Sequence, residues 1–428
     1  MTVQHQDAAE RERAMDDVVE VTAYAEVVEA LRAATKLAVV MDQESEPIRG
    51  GTVLRVDGAP HTARRRLLNR LVFREGHTRL RESVLRPGLE RELALLLARP
   101  DPDGLARADL VVLATRVLVE LVAAMIGLDD ARTPAGLDAL VRLHGELVAF
   151  PRLQTQLRTA APPLPDGDAG LRRAIDRHQT AKREFVDRFY RPAIEARREL
   201  VARHEAGALT DAELPQDFLM LVAAHADAGL DDEPEVAVRH AIVDLLHAGT
   251  GTTVGALVRA IDELHRHFRD HPDDRPLATD PAFLAGAVNE TLRLHSANPA
   301  EIRRAVVDLT LGGGTRIRAG QFVALRTGYA NRDRAVFGAD AERFDPRRQV
   351  PAAIYPYGVA FGSGPHMCYG LPLVMGNAGT DGNLVTLVKR LHEAGVRPDP
   401  ERPARTRPTI AHADLKTIDS YPVVFGPA

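Results

Sequence analysis

Apolar positions recur at helical spacing through the middle of the chain, with amphipathic segments over residues 80–97, 108–126, 137–150, 171–205 and 237–267. After Arg303 the pattern changes to short apolar runs split by glycine and proline, at 305–311, 315–318 and 321–325, which predicts the strands of small hairpins. The expected fold class is therefore mainly α with small β-sheets, an α+β arrangement. Pro162, Pro163, Pro165 and Gly167 exclude a helix over 161–170 and predict a loop, with the composition of a lid, between two long helices.

No linker, repeat or low-complexity tract divides the 428 residues, so one large unit over 1–428 is expected, with a flexible terminus over 1–20. A net charge of -5 leaves no basic excess and argues against nucleic acid as a partner. The first residues are polar and resemble neither a signal peptide nor an anchor. The most apolar stretch, 110–128, carries Arg116 and Glu120, which predicts a buried helix; no membrane and a cytoplasmic location are expected. One cysteine excludes an intramolecular disulfide.

That cysteine, Cys368, follows Phe361, Gly362, Ser363, Gly364, Pro365, His366 and Met367, and precedes Tyr369 and Gly370. Three glycines so close together are expected where the backbone turns sharply or approaches another group. A thiolate ligand to iron needs such a loop, with N–H groups aimed at the sulfur and a helix beginning behind it. A glycine-rich turn before a helix also occurs in nucleotide sites.

Phe361, Gly362, Gly364, His366, Cys368 and Gly370 match the pattern F-G-x-G-x-H-x-C-x-G, and the chain is similar here to the haem-binding loop of cytochromes P-450. The resemblance implies haem b with Cys368 as its axial ligand, and extends to other landmarks. Glu290 and Arg293 form an E-x-x-R 78 residues before the cysteine, and Arg343 lies in a segment resembling the family's P-E-R-F. The family likeness makes these three a buried structural ion triad. His61 and Arg65, one helical turn apart, resemble the H-x-x-x-R that serves the haem propionates; Arg303 and His366 resemble two further propionate donors.

The segment Ala248, Gly249, Thr250, Gly251, Thr252 puts glycines into a helix interior, each costing about 1 kcal/mol relative to alanine. Either the helix breaks there or it opens to make room for a ligand. Ala248, Gly249 and Thr252 match the family's oxygen-binding pattern A/G-G-x-D/E-T, in which the threonine hydroxyl holds dioxygen and its proton donor. Gly251 replaces the acid of that pattern and can carry no proton. Two more departures are Gly358, where many members have histidine, and Gly376, Gly379 and Gly382 in the helix after the cysteine.

The resemblance implies a monooxygenase acting on a small apolar or amphipathic molecule in secondary metabolism, with a ferredoxin and ferredoxin reductase as electron donors. Arg64, Arg65, Arg66 and Arg70 form a candidate basic patch for an acidic donor. Pocket side chains are expected before His61 and in 150–170, 245–253 and 298–301. Gly251 raises oxidative coupling, nitration, peroxygenation or nitric oxide reduction as alternative chemistry, and the altered helix after Cys368 raises a haem-binding protein without turnover.

Overall fold

Asp109 and Asp280 begin two of the helices that build the core, each accepting a hydrogen bond from a backbone N–H left free in the first turn: Val111 N at 2.9 Å and Phe283 N at 2.8 Å. Pro281 then sits at the first helical position, where its missing N–H costs nothing. The helices that follow are Leu110–Ile126, ended by Gly127 in the left-handed conformation, and Pro281–Leu294. The structure is a computed structural model and describes residues 18–40, 50–72, 74–158, 167–225, 234–376, 379–409 and 412–426.

Both helices pack on a helix that runs from Pro234 to Asp270, about 55 Å at 1.5 Å per residue. By length and composition it could cross a membrane, but 67% of its most apolar window is buried within the fold, as for a core helix. It does not break at its glycines. The departure from α geometry lies one segment earlier, as a π-helical stretch over His240–His247, and α-helix resumes at Ala248. The helix predicted over 171–205 is Gly167–Phe185, a π turn Val186–Tyr190 and Arg191–Glu205. That over 137–150 is longer, Pro134–Arg158. Of the loop expected at 161–170, residues 161–166 lie outside the described residues and 167–170 are already helix, since Gly167 follows the last of the prolines; most of the terminus at 1–20 also lies outside the described residues.

A four-stranded sheet stands beside the helices in the order Val19–Val21, Phe322–Leu325, Glu301–Ala305, Leu37–Val39. The first pair is parallel and the other two antiparallel, with Val39 opposite Arg303. Its inner face is lined by Val21, Leu37, Val323 and Leu325, which pack on Val27 and Leu31 of the helix Tyr24–Arg32. A three-stranded sheet joins Ala106–Asp109, Pro422–Phe425 and Arg397–Pro398. Two hairpins, Leu309–Thr310 with Arg316–Ile317 and Arg405–Thr409 with His412–Ser420, complete the β structure.

Candidate haem-thiolate site

The cysteine loop is built as its glycines require. Gly362 and Gly364 both have φ of 72°, in the left-handed region, and a Cβ on Gly364 would come within 2.8 Å of the Arg32 backbone. Phe361 accepts a hydrogen bond from Cys368 N at 2.8 Å, which closes the loop. Gly370 serves a different end: its φ is ordinary, and a Cβ there would lie 3.6 Å from the Cys368 sulfur. Behind it Leu371 N donates to Cys368 O at 3.5 Å. Cys368 keeps accessible surface although protein crowds it. Burial pushes its thiol up; the Gly370 N–H, the Arg65 guanidinium and the Leu371 N–H pull it back down. Backbone N–H groups and a cation that lower a thiol's pKa are the surroundings a thiolate ligand needs, so the loop fits haem iron.

Asp57 is the residue at the start of the helix Gly58–Asn69, yet its carboxylate caps no N–H of that helix. It accepts instead from Val39 N at 3.0 Å and pairs with His366 Nε2 at 2.7 Å. His366 is thereby held with its ring 4.2 Å from that of His61. His61 is 5% exposed, and its Nε2 is buried without a partner. Burial, with His366 next, lowers its pKa to about 4 and keeps it neutral at pH 7. A buried ring nitrogen left unsatisfied costs free energy unless a ligand supplies its partner. The pair His61–His366 thus fits the propionate end of a haem.

Arg65, one turn beyond His61, donates from Nε to Asn69 Oδ1 at 3.0 Å and sets its guanidinium 5.7 Å from the Tyr369 ring centre. Arg303 is buried on its strand and paired with Glu301. Of the basic patch, Arg66 and Arg70 are exposed, but Arg64 is buried and turned to Gly51 O, so the patch is narrower than its sequence.

On the long helix Thr252 is exposed between the buried Thr250 and Thr253, and its hydroxyl donates to Ala248 O at 2.7 Å. Thr253 does the same to Gly249 O at 3.1 Å. A Cβ on Gly249 would meet Val122 at 3.1 Å, so the glycine permits the close approach of the neighbouring helix. Gly251 presents no side chain. Tyr369 ties the cysteine loop to this helix, its hydroxyl donating to Asp244 O at 2.6 Å. Burial, with Asp244 and Cys368 nearby, raises the Tyr369 pKa and keeps the phenol neutral.

The expected triad is corrected in one member. Glu290 and Arg293 form a buried two-pronged pair, with Nε to Oε1 at 2.6 Å and Nη2 to Oε2 at 2.8 Å. The third guanidinium is that of Arg348, 3.1 Å from Glu290 Oε2, whereas the Arg343 side chain is exposed. Arg343 contributes only its carbonyl, which accepts from Arg293 at 3.3 Å and Arg348 at 2.9 Å. The backbone turn after Phe344 brings Arg348 inward, because Asp345 N is itself bound to Glu290 at 3.1 Å.

Sequence reasoning missed Asp57, Arg348 and Tyr369. Asp57 was legible as a helix start, four residues before His61, but its partner is distant in sequence. The helix after Cys368 is short, Leu371–Met375, ending at Gly376 with φ 72°; the next, Asn383–Glu393, starts after Gly382.

A family model described as Cytochrome P450 matches residues 259–378. The chain is 38% identical over 126 residues to 20-oxo-5-O-mycaminosyltylactone 23-monooxygenase of Streptomyces fradiae, covering 29% of this chain and 28% of that protein. It is 29% identical over 205 residues to indoleacetaldoxime dehydratase of Arabidopsis thaliana, covering 43% and 41%. The matched segments thus span well under two thirds of these relatives' own lengths. The fold extends the likeness: the ligand-free structure of cytochrome P450 TbtJ1 superimposes with a TM-score of 0.63 over 95% of this chain and 91% of that one, at 22% identity. Residues 259–378 thus match the cytochrome P450 family model, and nearly the whole chain has the fold of cytochrome P450 structures, a family whose cofactor is haem b.

Proposed function

We propose that this protein is a haem-thiolate monooxygenase that oxidises a small apolar or amphipathic organic molecule, in the cytoplasm and in secondary metabolism, with electrons from a ferredoxin and its reductase. The observation that carries this reading is the tight loop that holds Cys368, closed by Cys368 N on Phe361 O at 2.8 Å with Gly362 and Gly364 in the left-handed region and Gly370 beside the sulfur. Bound haem b supplies reductive activation of dioxygen and transfer of an oxygen atom to the substrate.

The chain's own part is to hold, orient and exclude. Cys368 is the residue that would donate thiolate charge to bound iron, and the Gly370 and Leu371 N–H groups with Arg65 offset part of the burial that raises its pKa. His61, Arg65, Arg303 and His366 supply the donors for the propionates, with Asp57 orienting His366. Thr252 holds a proton on a hydroxyl fixed by Ala248 O, at an exposed position on the long helix. Glu290, Arg293 and Arg348 brace the backbone behind the cysteine loop, since Arg293 also donates to Asn331 O at 2.7 Å and Asn331 Oδ1 accepts from Val359 N at 2.8 Å.

The test is the Cys368→Ser variant. It loses the thiolate spectrum and retains at most a neutral-ligand haem; an unchanged spectrum refutes the assignment.

Gly251 favours a second reading, in which the same haem site carries out chemistry with less demand for proton delivery: coupling, nitration, peroxygenation or nitric oxide reduction. The dehydratase among the relatives supports the general point that similar chains run other reactions.

A further inference from the structure

The chain has no tryptophan and seven tyrosines, and three of the seven, Tyr24, Tyr355 and Tyr357, lie within electrostatic reach of one another. Tyr355, Pro356, Tyr357 and Gly358 form a turn closed by Gly358 N on Tyr355 O at 2.7 Å, with proline where its fixed φ favours the turn. The turn lays the Tyr355 ring on that of Tyr357, with centres 5.1 Å and planes 8° apart. Tyr357 meets Phe361 edge to face at 5.0 Å. Phe361 O accepts from Cys368 N, so a column of three rings runs from the cysteine loop out to Tyr355, which is 53% exposed.

Packing is the ordinary reason for such contacts, but the chemistry of this column is also graded along its length. A phenol that gives up an electron becomes a strong acid and must shed its proton. Burial first, then Tyr355 and Tyr24, pushes the Tyr357 pKa up, so charge is disfavoured at the buried middle ring. Tyr355 can pass its proton to water. An electron vacancy that enters the column therefore comes to rest at the outer end. At the inner end lie two groups that oxidation damages, since Cys368 and Met367 both oxidise at sulfur.

We propose that Tyr355, Tyr357 and Phe361 form a discharge path that carries an oxidising equivalent out of the cysteine site when no substrate consumes it. One electron passes inward from Tyr355 through Tyr357 and across the Phe361 ring. The Tyr355 phenol loses its proton to water and becomes a phenoxyl radical. A one-electron reductant in solution, such as ascorbate, restores the phenol by returning one electron and one proton. The source of the equivalent, haem with peroxide, rests on the haem-thiolate reading above; the column itself does not.

The experiment treats the holoprotein with hydrogen peroxide and a nitroso spin trap, without substrate, and locates the adducts by peptide mass spectrometry in the wild type and in Tyr357→Phe. That substitution keeps the ring and removes the oxidisable phenol. Tyr329, 49% exposed, measures attack from solution. The wild type is expected to carry an adduct at Tyr355 that Tyr357→Phe loses, while labelling at Tyr329 holds its level and sulfur oxidation at Cys368 and Met367 rises. No adduct at Tyr355 in the wild type, or one that persists in Tyr357→Phe, overturns the proposal. Should Tyr357→Phe melt below the wild type, Tyr355→Phe decides from its exposed position: increased oxidation of Cys368 and Met367 supports the path, and unchanged oxidation overturns it. Should the purified chain hold no haem, the haem-thiolate reading fails by itself. A ruthenium photooxidant attached to Cys368, the only cysteine, then supplies the equivalent. A flash that marks Tyr355 in the wild type and not in Tyr357→Phe supports the column, and equal marking overturns it.

Discussion

Arg348 Nε lies 3.1 Å from Glu290 Oε2, on the carboxylate oxygen that Arg293 Nη2 also reaches at 2.8 Å. One carboxylate therefore joins two guanidinia, and through the carbonyls of Asn331, Ala341 and Arg343 it gathers the irregular segment ahead of the cysteine loop. Replacing Arg348 by alanine leaves a buried acceptor short of a charged donor and is expected to cost about 2–3 kcal/mol. Arg343→Ala, at an exposed side chain, is expected to stay within about 0.5 kcal/mol. Urea unfolding of the two variants checks this; equal losses would contradict the assignment.

Gly358 has φ of 62°, and a Cβ there would lie 2.2 Å from Asn331 Oδ1, the atom that receives Val359 N. The departure from histidine at this position is therefore required by the local backbone of this chain. Gly358→Ala is expected to lose about 1–3 kcal/mol in the same unfolding assay, from left-handed strain and displacement of Asn331. A neutral outcome would mean that Asn331 is not held as described.

Much of this was legible in the sequence, and the parts that were not share a physical cause. Periodicity located the long core helix, and the cysteine loop was readable because glycine spacing and ligand chemistry constrain one short stretch. Arg343 was chosen over Arg348 because a motif marks residues in sequence, while the ion pair depends on which side chain the turn at Asp345 directs inward. Asp57 escaped notice for the same reason: its partner Val39 is placed by strand pairing with Arg303, a register no local pattern reveals. The glycines of 249–255 suggested an opening at that point, but the π-helical stretch precedes them at His240–His247.

Restoring the missing acid tests what Gly251 means. If proton delivery limits a monooxygenase, Gly251→Asp is expected to raise the product formed per electron pair and lower the peroxide released. If the chain runs chemistry with less proton demand, the variant gains nothing. Oxygen uptake, peroxide and product are measured together for a substrate that shifts the Soret band.

Acid should weaken the fold through buried imidazoles. His178 and His392 each have their pKa lowered to about 4, mainly by burial, against 6.5 when exposed. Between those values the unfolded chain binds more protons than the folded one, so stability rises with pH through this window and is lost as pH falls from 6.5 toward 4. At pH 5 each group is expected to cost about 1–2 kcal/mol relative to pH 7. Urea midpoints at the two pH values measure the loss, and His392→Gln is expected to shrink it; an unchanged pH dependence would contradict the burial argument.

The central claim, a haem held by the thiolate of Cys368, is tested most directly by the absorption spectrum of the purified protein after reduction in the presence of carbon monoxide. The account predicts a strongly red-shifted Soret band. A band at the position of neutral-ligand haem, or a colourless protein, would contradict it.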